Sequence, residues 1–165
     1  LGDVYKRQTP SVCNLRPSSR GFVALRDANP DSAPLIQPNY LSTESDRAVA
    51  VAGLKMTREI MAAPALQPFT PHELKPGAHI NSDDELALAA GDLGTTIFHP
   101  VGTCKMGNDS MAVVDDELRV KGVQNLRVID ASIMPTITSG NTNAPTVMIA
   151  EKGAEFLKRQ HQHRS

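Results

Sequence analysis

The stretch Ser139-Gly-Asn-Thr-Asn-Ala-Pro-Thr146 is the part of this sequence that does most to decide its fold, because a turn of glycine and asparagine leads directly into a helical pattern. Proline is favoured in the first turn of a helix, and apolar residues recur at helical spacing from Val147 to Leu157. We therefore predict a terminal helix from about Ala144 to Arg159. Such a helix start presents free backbone N–H groups and a positive dipole end to an anion.

Apolar and β-branched segments earlier in the chain predict a group of short strands. Thr95–Phe98 is one of them, and His99 lies at its end because a residue before proline favours extended backbone. Asp130 follows the last strand, a position at which α/β proteins bind polar ligand groups. The other predicted strands are Gly21–Arg26, Val113-Val114, Leu118–Val120 and Leu126–Ile129, the last two joined through the turn Lys121-Gly122.

Two helices are predicted between these strands. Thr43–Asp46 has the spacing of a capping box, and apolar residues then recur with a helical period until Pro64. Ser82–Glu85 has the same spacing and predicts a second helix that ends at about Gly91 or Gly94. Repeated prolines predict an irregular segment between the two helices.

Composition limits the classes of protein to consider. The chain has 165 residues, 40% of them hydrophobic, which is enough for one core. Its 17 basic and 18 acidic residues give a net charge of -1, so it lacks the basic surface expected of a nucleic-acid-binding protein. No run approaches the roughly 18 apolar residues of a membrane-spanning helix. We expect a soluble protein that would associate with a membrane only peripherally.

The cysteines and histidines leave several site types open. Cys13 and Cys104 are too few for a disulfide framework, so a reducing compartment is the simplest interpretation. A single disulfide bond between them is the alternative. A metal site would use His99 with Cys104, or His161 with His163, but neither pair supplies three or four ligands. A catalytic Cys104 would have no obvious activating partner except His99.

Three residues combine position with useful chemistry. A lone histidine is more often structural than catalytic, and Asp130 can simply cap a chain reversal. However, an imidazole titrates near neutral pH, so His99 can accept a proton from an alcohol held beside it. An amide such as that of Asn141 can hold the same hydroxyl in place.

Three segments of the sequence stand out together. They are His99-Pro-Val-Gly-Thr-Cys-Lys-Met-Gly107, Leu126-Arg-Val-Ile-Asp-Ala-Ser-Ile-Met-Pro135 and Ser139-Gly-Asn-Thr-Asn-Ala-Pro-Thr146. In this order they resemble the C-terminal signature of the glucose-methanol-choline (GMC) oxidoreductase family, and its choline-dehydrogenase-like branch in particular. The similarity also includes Arg16-Pro-Ser-Ser-Arg-Gly21 and Pro38-Asn-Tyr-Leu-Ser42, so it covers nearly everything after about Ser11.

The resemblance implies a set of functional residues. His99 falls on the family's catalytic base, and Asn141 falls on the second position, which is His or Asn in the family. The residues implied to contact FAD are Asp130, Ala131, Asn143, Ala144 and Thr146. The helix that starts near Ala144 would stabilise negative charge on the reduced flavin.

The implied reaction is oxidation of a primary alcohol to an aldehyde, with His99 removing the hydroxyl proton and hydride passing to flavin N5. The alcohol is choline-like, aliphatic or aromatic; with only 4% aromatic residues the chain shows no cage for a quaternary ammonium. By likeness, the electron acceptor is expected to be a quinone or another non-oxygen acceptor. The implied location is the cytoplasm, with possible peripheral association at the inner membrane.

The resemblance also implies a fold and a domain organisation. We expect a mixed α/β (α+β) structure, the C-terminal part of a two-domain FAD-dependent enzyme. A largely antiparallel substrate-domain sheet with flanking helices would be followed by returning strands and the terminal helix of the FAD domain. The expected parts are a fragment end or artefact at 1–11, a substrate-domain portion at 12–98, an active-site crossing segment at 99–111, the FAD-binding part at 112–160 and a tail at 161–165.

One feature of the family is absent from these residues. The Gly-x-Gly-x-x-Gly loop that holds the FAD pyrophosphate does not occur in this sequence. We therefore predict that this polypeptide alone binds FAD poorly. The alternative to an enzyme fragment is a non-catalytic or truncated domain that keeps the fold and cannot bind FAD by itself.

Overall fold

The computed structural model describes residues 8–162, and the chain divides into two compact units. The first unit contains residues up to Gly21 together with Ile36–Thr95, and the second contains Phe22–Leu35 together with the residues from Thr96 onward. Each unit is therefore built from two separate stretches of chain. The predicted division into a substrate part and a flavin part stays a prediction.

In the first unit, helix α1 (Glu44–Met61) packs against helix α2 (Asp83–Leu93). Val51 of α1 and Leu86 of α2 are buried hydrophobic residues. Both helices begin where the sequence predicts. At the start of α2, the Ser82 side chain accepts from the backbone N–H of Glu85, and the Glu85 carboxylate accepts from the backbone N–H of Ser82, which is the complete capping box.

The cap of α1 is only half of the predicted box. The Thr43 hydroxyl accepts from the backbone N–H of Asp46 at 3.3 Å. The Asp46 carboxylate does not accept from the backbone N–H of Thr43, as it would in a complete capping box. Instead it accepts from the backbone N–H groups of Ser18 at 2.9 Å and Ser19 at 2.8 Å. A buried aspartate thus ties the segment before the first strand to the start of α1.

The strands are shorter than predicted. The strand predicted at Gly21–Arg26 is confirmed as β1 (Phe22–Ala24), and it pairs with β2 (Leu35–Gln37) in a two-stranded sheet. This is the one sheet among residues 8–162, so the described part shows a mixed structure of helices and a small antiparallel sheet. The segment predicted to be irregular after Pro64 contains a 3-10 helix at Pro64–Phe69.

The strand predicted at Thr95–Phe98 is wrong. These residues form neither strand nor helix, and Phe98 has φ 63°, in the left-handed region that a β-strand does not use. His99 therefore follows an irregular segment rather than a strand. The segment before it bends because the Thr96 hydroxyl accepts from the backbone N–H of Phe98 at 3.1 Å.

The three strands predicted between Val113 and Ile129 are reduced to isolated bridges, which pair Met106 with Val114, Val114 with Val120, and Arg119 with Arg127. Leu118 has φ 65°, and this left-handed residue interrupts the regular pairing. The same segments still contribute Val114 and Leu118 to the core of the second unit. The buried members of this core are Val114, Leu118, Ile133, Met134 and Ile149.

The terminal helix is confirmed as α3 (Asn143–Gln162). A second 3-10 helix, Ala131–Ile133, follows Asp130 and contacts α3. Ile149 buries one face of α3 in the core of the second unit. None of the helices described within residues 8–162 has the length and apolar character needed to cross a bilayer.

Candidate active site

His99 lies between two consecutive residues at the start of α3. Its Nε2 is 3.0 Å from Nδ2 of Asn141, and its Nδ1 is 2.9 Å from Oγ1 of Thr142. The imidazole is half-buried, Asn141 is exposed and Thr142 is buried. Both ring nitrogens therefore have a hydrogen-bond partner. Nε2 contacts the exposed Asn141, and Nδ1 contacts the buried Thr142.

In the structure the side-chain amide nitrogen of Asn141 faces Nε2 of His99. With the amide in this orientation, Asn141 donates and Nε2 accepts through its lone pair. In a neutral imidazole the proton then lies on Nδ1 and is donated to the Thr142 hydroxyl. The arrangement leaves the basic lone pair of His99 beside the exposed amide of Asn141.

The segment that carries His99 is fixed by backbone hydrogen bonds to the second 3-10 helix. The N–H of Cys104 donates to the carbonyl of Ser132 at 3.0 Å, and that of Met106 donates to the carbonyl of Ile133 at 2.8 Å. Gly102 has φ 88°, and a Cβ there would lie 3.3 Å from the carbonyl oxygen of Met134. The glycine therefore serves both the turn and the close approach of the two segments.

The start of α3 has the features predicted for binding an anion. Asn143 and Ala144 are exposed, and the first N–H groups of a helix have no intrahelical partner. The positive end of the helix dipole lies at the same place. Thr146, the other predicted contact on this helix, is half-buried, and its hydroxyl donates to the carbonyl of Thr142 at 2.6 Å.

Asp130 and Ala131 lie at the other predicted contact with the cofactor. Asp130 is exposed and caps the second 3-10 helix, since its carboxylate accepts from the backbone N–H of Ser132 at 2.8 Å. Ala131 is half-buried and packs on the core of the second unit. This 3-10 helix contacts α3, the helix that begins with the other predicted cofactor segment.

Thr142 is the residue of this site that the sequence did not single out. Threonine is a common residue immediately before a helix, so its position was predictable. Its contact with His99 joins residues that are 43 positions apart, and no local pattern reports such a pair.

The alternative sites gain no support from the described residues. Within residues 8–162 no group of three or more His, Cys, Asp or Glu side chains is arranged to hold a metal, and His163 lies outside those residues. Cys13 and Cys104 are both free thiols. The ring nitrogens of His99 bond to Asn141 and Thr142, so neither activates Cys104.

Comparison with known proteins assigns this chain to a family of oxidoreductases. The C-terminal family model of the GMC oxidoreductases matches residues 17–150, and the chain belongs to this family. It is 49% identical over 152 residues to the alcohol dehydrogenase [acceptor] of Pseudomonas putida and 53% identical over 148 residues to the mitochondrial choline dehydrogenase of Homo sapiens. The chain is thus part of a GMC-family flavin oxidoreductase related to alcohol and choline dehydrogenases.

The similarity extends to solved structures but covers only part of each relative. An FAD-dependent oxidoreductase from Chaetomium thermophilum superimposes with a TM-score of 0.82 at 34% identity, over 89% of this chain and 26% of that one. The matches cover 92% and 88% of this chain but only 28% of the Pseudomonas putida relative and 25% of the human one. The chain therefore spans about a quarter of the length of these relatives. A full-length protein is one that contains this chain and the remaining part that its relatives have.

Proposed function

We propose that the full-length protein is an FAD-dependent dehydrogenase that oxidises a primary alcohol to an aldehyde, with His99 as the base. The observation that carries this proposal is the pair of contacts from Asn141 Nδ2 and Thr142 Oγ1 to the two ring nitrogens of His99. A histidine with a purely structural role needs no partner that a substrate can reach. Here the partner of Nε2 is an exposed amide, which a substrate oxygen can reach.

The residues present fit FAD as the cofactor. Asn143 and Ala144 would hold an anionic part of the flavin through the free N–H groups and dipole of the α3 start. Asp130 and Ala131, on the 3-10 helix that contacts α3, would hold polar groups of the same cofactor. When bound, FAD would supply the acceptor for the hydride that leaves the alcohol carbon.

Residues of this chain would bind the alcohol oxygen and take up its proton. An alcohol oxygen placed between His99 and Asn141 would replace the direct hydrogen bond between them. It would then accept from Asn141 Nδ2 while giving its proton to His99 Nε2. Thr142 would keep the other ring nitrogen bonded as the ring becomes positively charged. Asn141 would stabilise the alkoxide and orient its carbon for hydride loss.

The substrate, electron acceptor and location are part of the same proposal. Similarity to alcohol and choline dehydrogenases supports a choline-like, aliphatic or aromatic alcohol as substrate. We propose a quinone or another non-oxygen acceptor, and a cytoplasmic protein that associates at most peripherally with the inner membrane. The chain on its own would bind FAD poorly, because it lacks the glycine-rich loop for the pyrophosphate.

The test uses full-length protein with bound flavin, a panel of alcohols and a redox dye as acceptor. His99→Gln should reduce the limiting rate of flavin reduction by at least about 10²-fold, the lower range for loss of a general base. His72→Gln, at an exposed histidine of the first unit, is the matched control and should keep wild-type rates. Flavin that is reduced equally fast in His99→Gln would refute the role of His99.

A further inference from the structure

We infer that Thr142 is a positioning residue that selects the nitrogen of His99 that accepts the proton. This inference rests on the proposed function and adds a residue that the resemblance to the family does not assign. The observation behind it is the 2.9 Å contact between Thr142 Oγ1 and His99 Nδ1. Thr142 is 9% exposed and His99 is half-buried, so this hydrogen bond is partly shielded from water.

The position of the Thr142 hydroxyl is fixed by α3. The carbonyl of Thr142 accepts from the backbone N–H of Thr146 at 3.0 Å and from its hydroxyl at 2.6 Å. These two bonds anchor the backbone of Thr142 to the first turn of the helix. The hydroxyl is therefore held at the Nδ1 side of the His99 ring.

A neutral imidazole has one protonated and one unprotonated nitrogen, and its neighbours decide which is which. With the Thr142 hydroxyl as acceptor, the proton rests on Nδ1 and the lone pair is on Nε2. Without that acceptor, a part-buried Nδ1–H group would be left with no protein partner, which is costly. The proton would then favour Nε2, the Asn141 amide would turn its oxygen toward it, and the base would be blocked.

This role differs from simple capping of α3. A helix cap would change stability, but it would not change the protonation pattern of a histidine elsewhere in the chain. The decisive variants are therefore Thr142→Val, which keeps the shape and loses the hydroxyl, and Thr142→Ser, which keeps the hydroxyl. Thr138→Val is the matched control, because Thr138 is an exposed threonine of the same loop and makes no hydrogen bond to His99.

The first readout does not depend on activity. Full-length protein is labelled with ¹⁵N-histidine, and the ring signals of His99 are identified by their loss in His99→Asn. With a neutral ring, His99 should show a protonated Nδ1 and an unprotonated Nε2 in wild type, Thr142→Ser and Thr138→Val. Thr142→Val should shift the proton toward Nε2. An unchanged proton position in Thr142→Val would overturn the inference.

The second readout separates chemistry from binding. Thr142→Val should lower the limiting rate of flavin reduction by about 10- to 100-fold, the effect expected when a buried group loses its partner. The apparent Kd for the alcohol should change less than about threefold, and Thr142→Ser should recover most of the rate. Equal loss in Thr142→Val and Thr142→Ser would indicate a structural role and refute the inference. If no alcohol reduces the wild-type flavin, the proposed function fails, while the ¹⁵N result still decides the role of Thr142.

Discussion

Ile129 and Gly153 lie in direct contact, so closely that a Cβ on Gly153 would be 2.5 Å from Cγ2 of Ile129 and 2.8 Å from its Cδ1. Isoleucine is branched at Cβ and has a stiff χ1 angle, so Cγ2 cannot easily move aside. This glycine therefore sets how closely α3 approaches the segment before Asp130.

Gly153→Ala should consequently weaken the packing of α3 by about 1–3 kcal/mol, the usual cost of overpacking. In hydrogen–deuterium exchange of the full-length protein, the amides of α3 should exchange faster. Gly91→Ala is the matched control, because Gly91 lies in α2 and its added Cβ would meet nothing within 4 Å. It should slow exchange in α2 or leave it unchanged, since alanine is the better helix former. Unchanged exchange of α3 in Gly153→Ala would contradict the close packing.

Asp46 should make the first unit sensitive to acid. Burial raises the pKa of Asp46, but hydrogen bonds from Ser19 and Ser18 outweigh it and lower the pKa from 3.8 to about 2. Because the folded pKa is below the unfolded one, the stabilisation is fully present above about pH 4 and disappears as the pH falls toward 2. It amounts to about 2 kcal/mol.

Asp46→Asn should therefore lower the stability of the first unit at pH 7 by an amount of that order, and the difference from wild type should vanish toward pH 2. Urea unfolding of the full-length protein, followed through peptides of α1, measures this difference at several pH values. Asp31→Asn, at an exposed aspartate, should change little throughout. A difference that does not depend on pH would show that the charge of Asp46 is not the cause.

Asn141 should affect the chemical step more than flavin binding. Asn141→Ala removes the donor to the alkoxide, so the limiting rate of flavin reduction should fall by about 10²- to 10³-fold. The flavin content should stay at the wild-type level. Asn108→Ala changes an exposed asparagine that follows the His99 segment, and it should retain full activity. An unchanged rate in Asn141→Ala would remove this residue from the proposed mechanism.

Arg58 should not be replaceable by lysine. Its Nε and Nη2 each donate to the Glu73 carboxylate at 2.9 Å, and this hydrogen-bonded ion pair lowers the pKa of Glu73. Lysine keeps the charge but loses the two parallel bonds, so Arg58→Lys should destabilise the first unit by about 1 kcal/mol. Lys55→Arg, at an exposed pair with Asp83, should be close to neutral in the same unfolding experiment.

The helices could be predicted because their determinants are local. The capping side chains of Thr43 and Ser82 and the proline near the start of α3 act within one turn of the residues that they order. The segment before His99 could not be predicted in the same way. Its β-branched residues favour a strand, but no partner strand is present among the described residues, and Phe98 adopts a left-handed conformation.

The candidate active site could be predicted only in part, because some of its contacts join residues that are far apart in the sequence. The family resemblance pointed to His99 and Asn141, and the structure brings their side chains together. The carboxylate of Asp46 and the hydroxyl of Thr142 make their main contacts with residues far away in the sequence. Such pairs follow from the folded arrangement of the chain, so a single sequence gives no sign of them.

The division of each unit into two stretches of chain has a consequence for the order of events during protein synthesis. Residues 22–35 belong with residues from 96 onward, but the 36–95 segment leaves the ribosome between them. At a synthesis rate of about 5–20 residues per second, the earlier stretch can pair with β2 but waits for several seconds for the residues from 96 onward. The first unit can fold during that interval, because Asp46 can then accept hydrogen bonds from Ser18 and Ser19. The imidazole of His99, by contrast, acquires its two partners only when the last part of this chain has emerged.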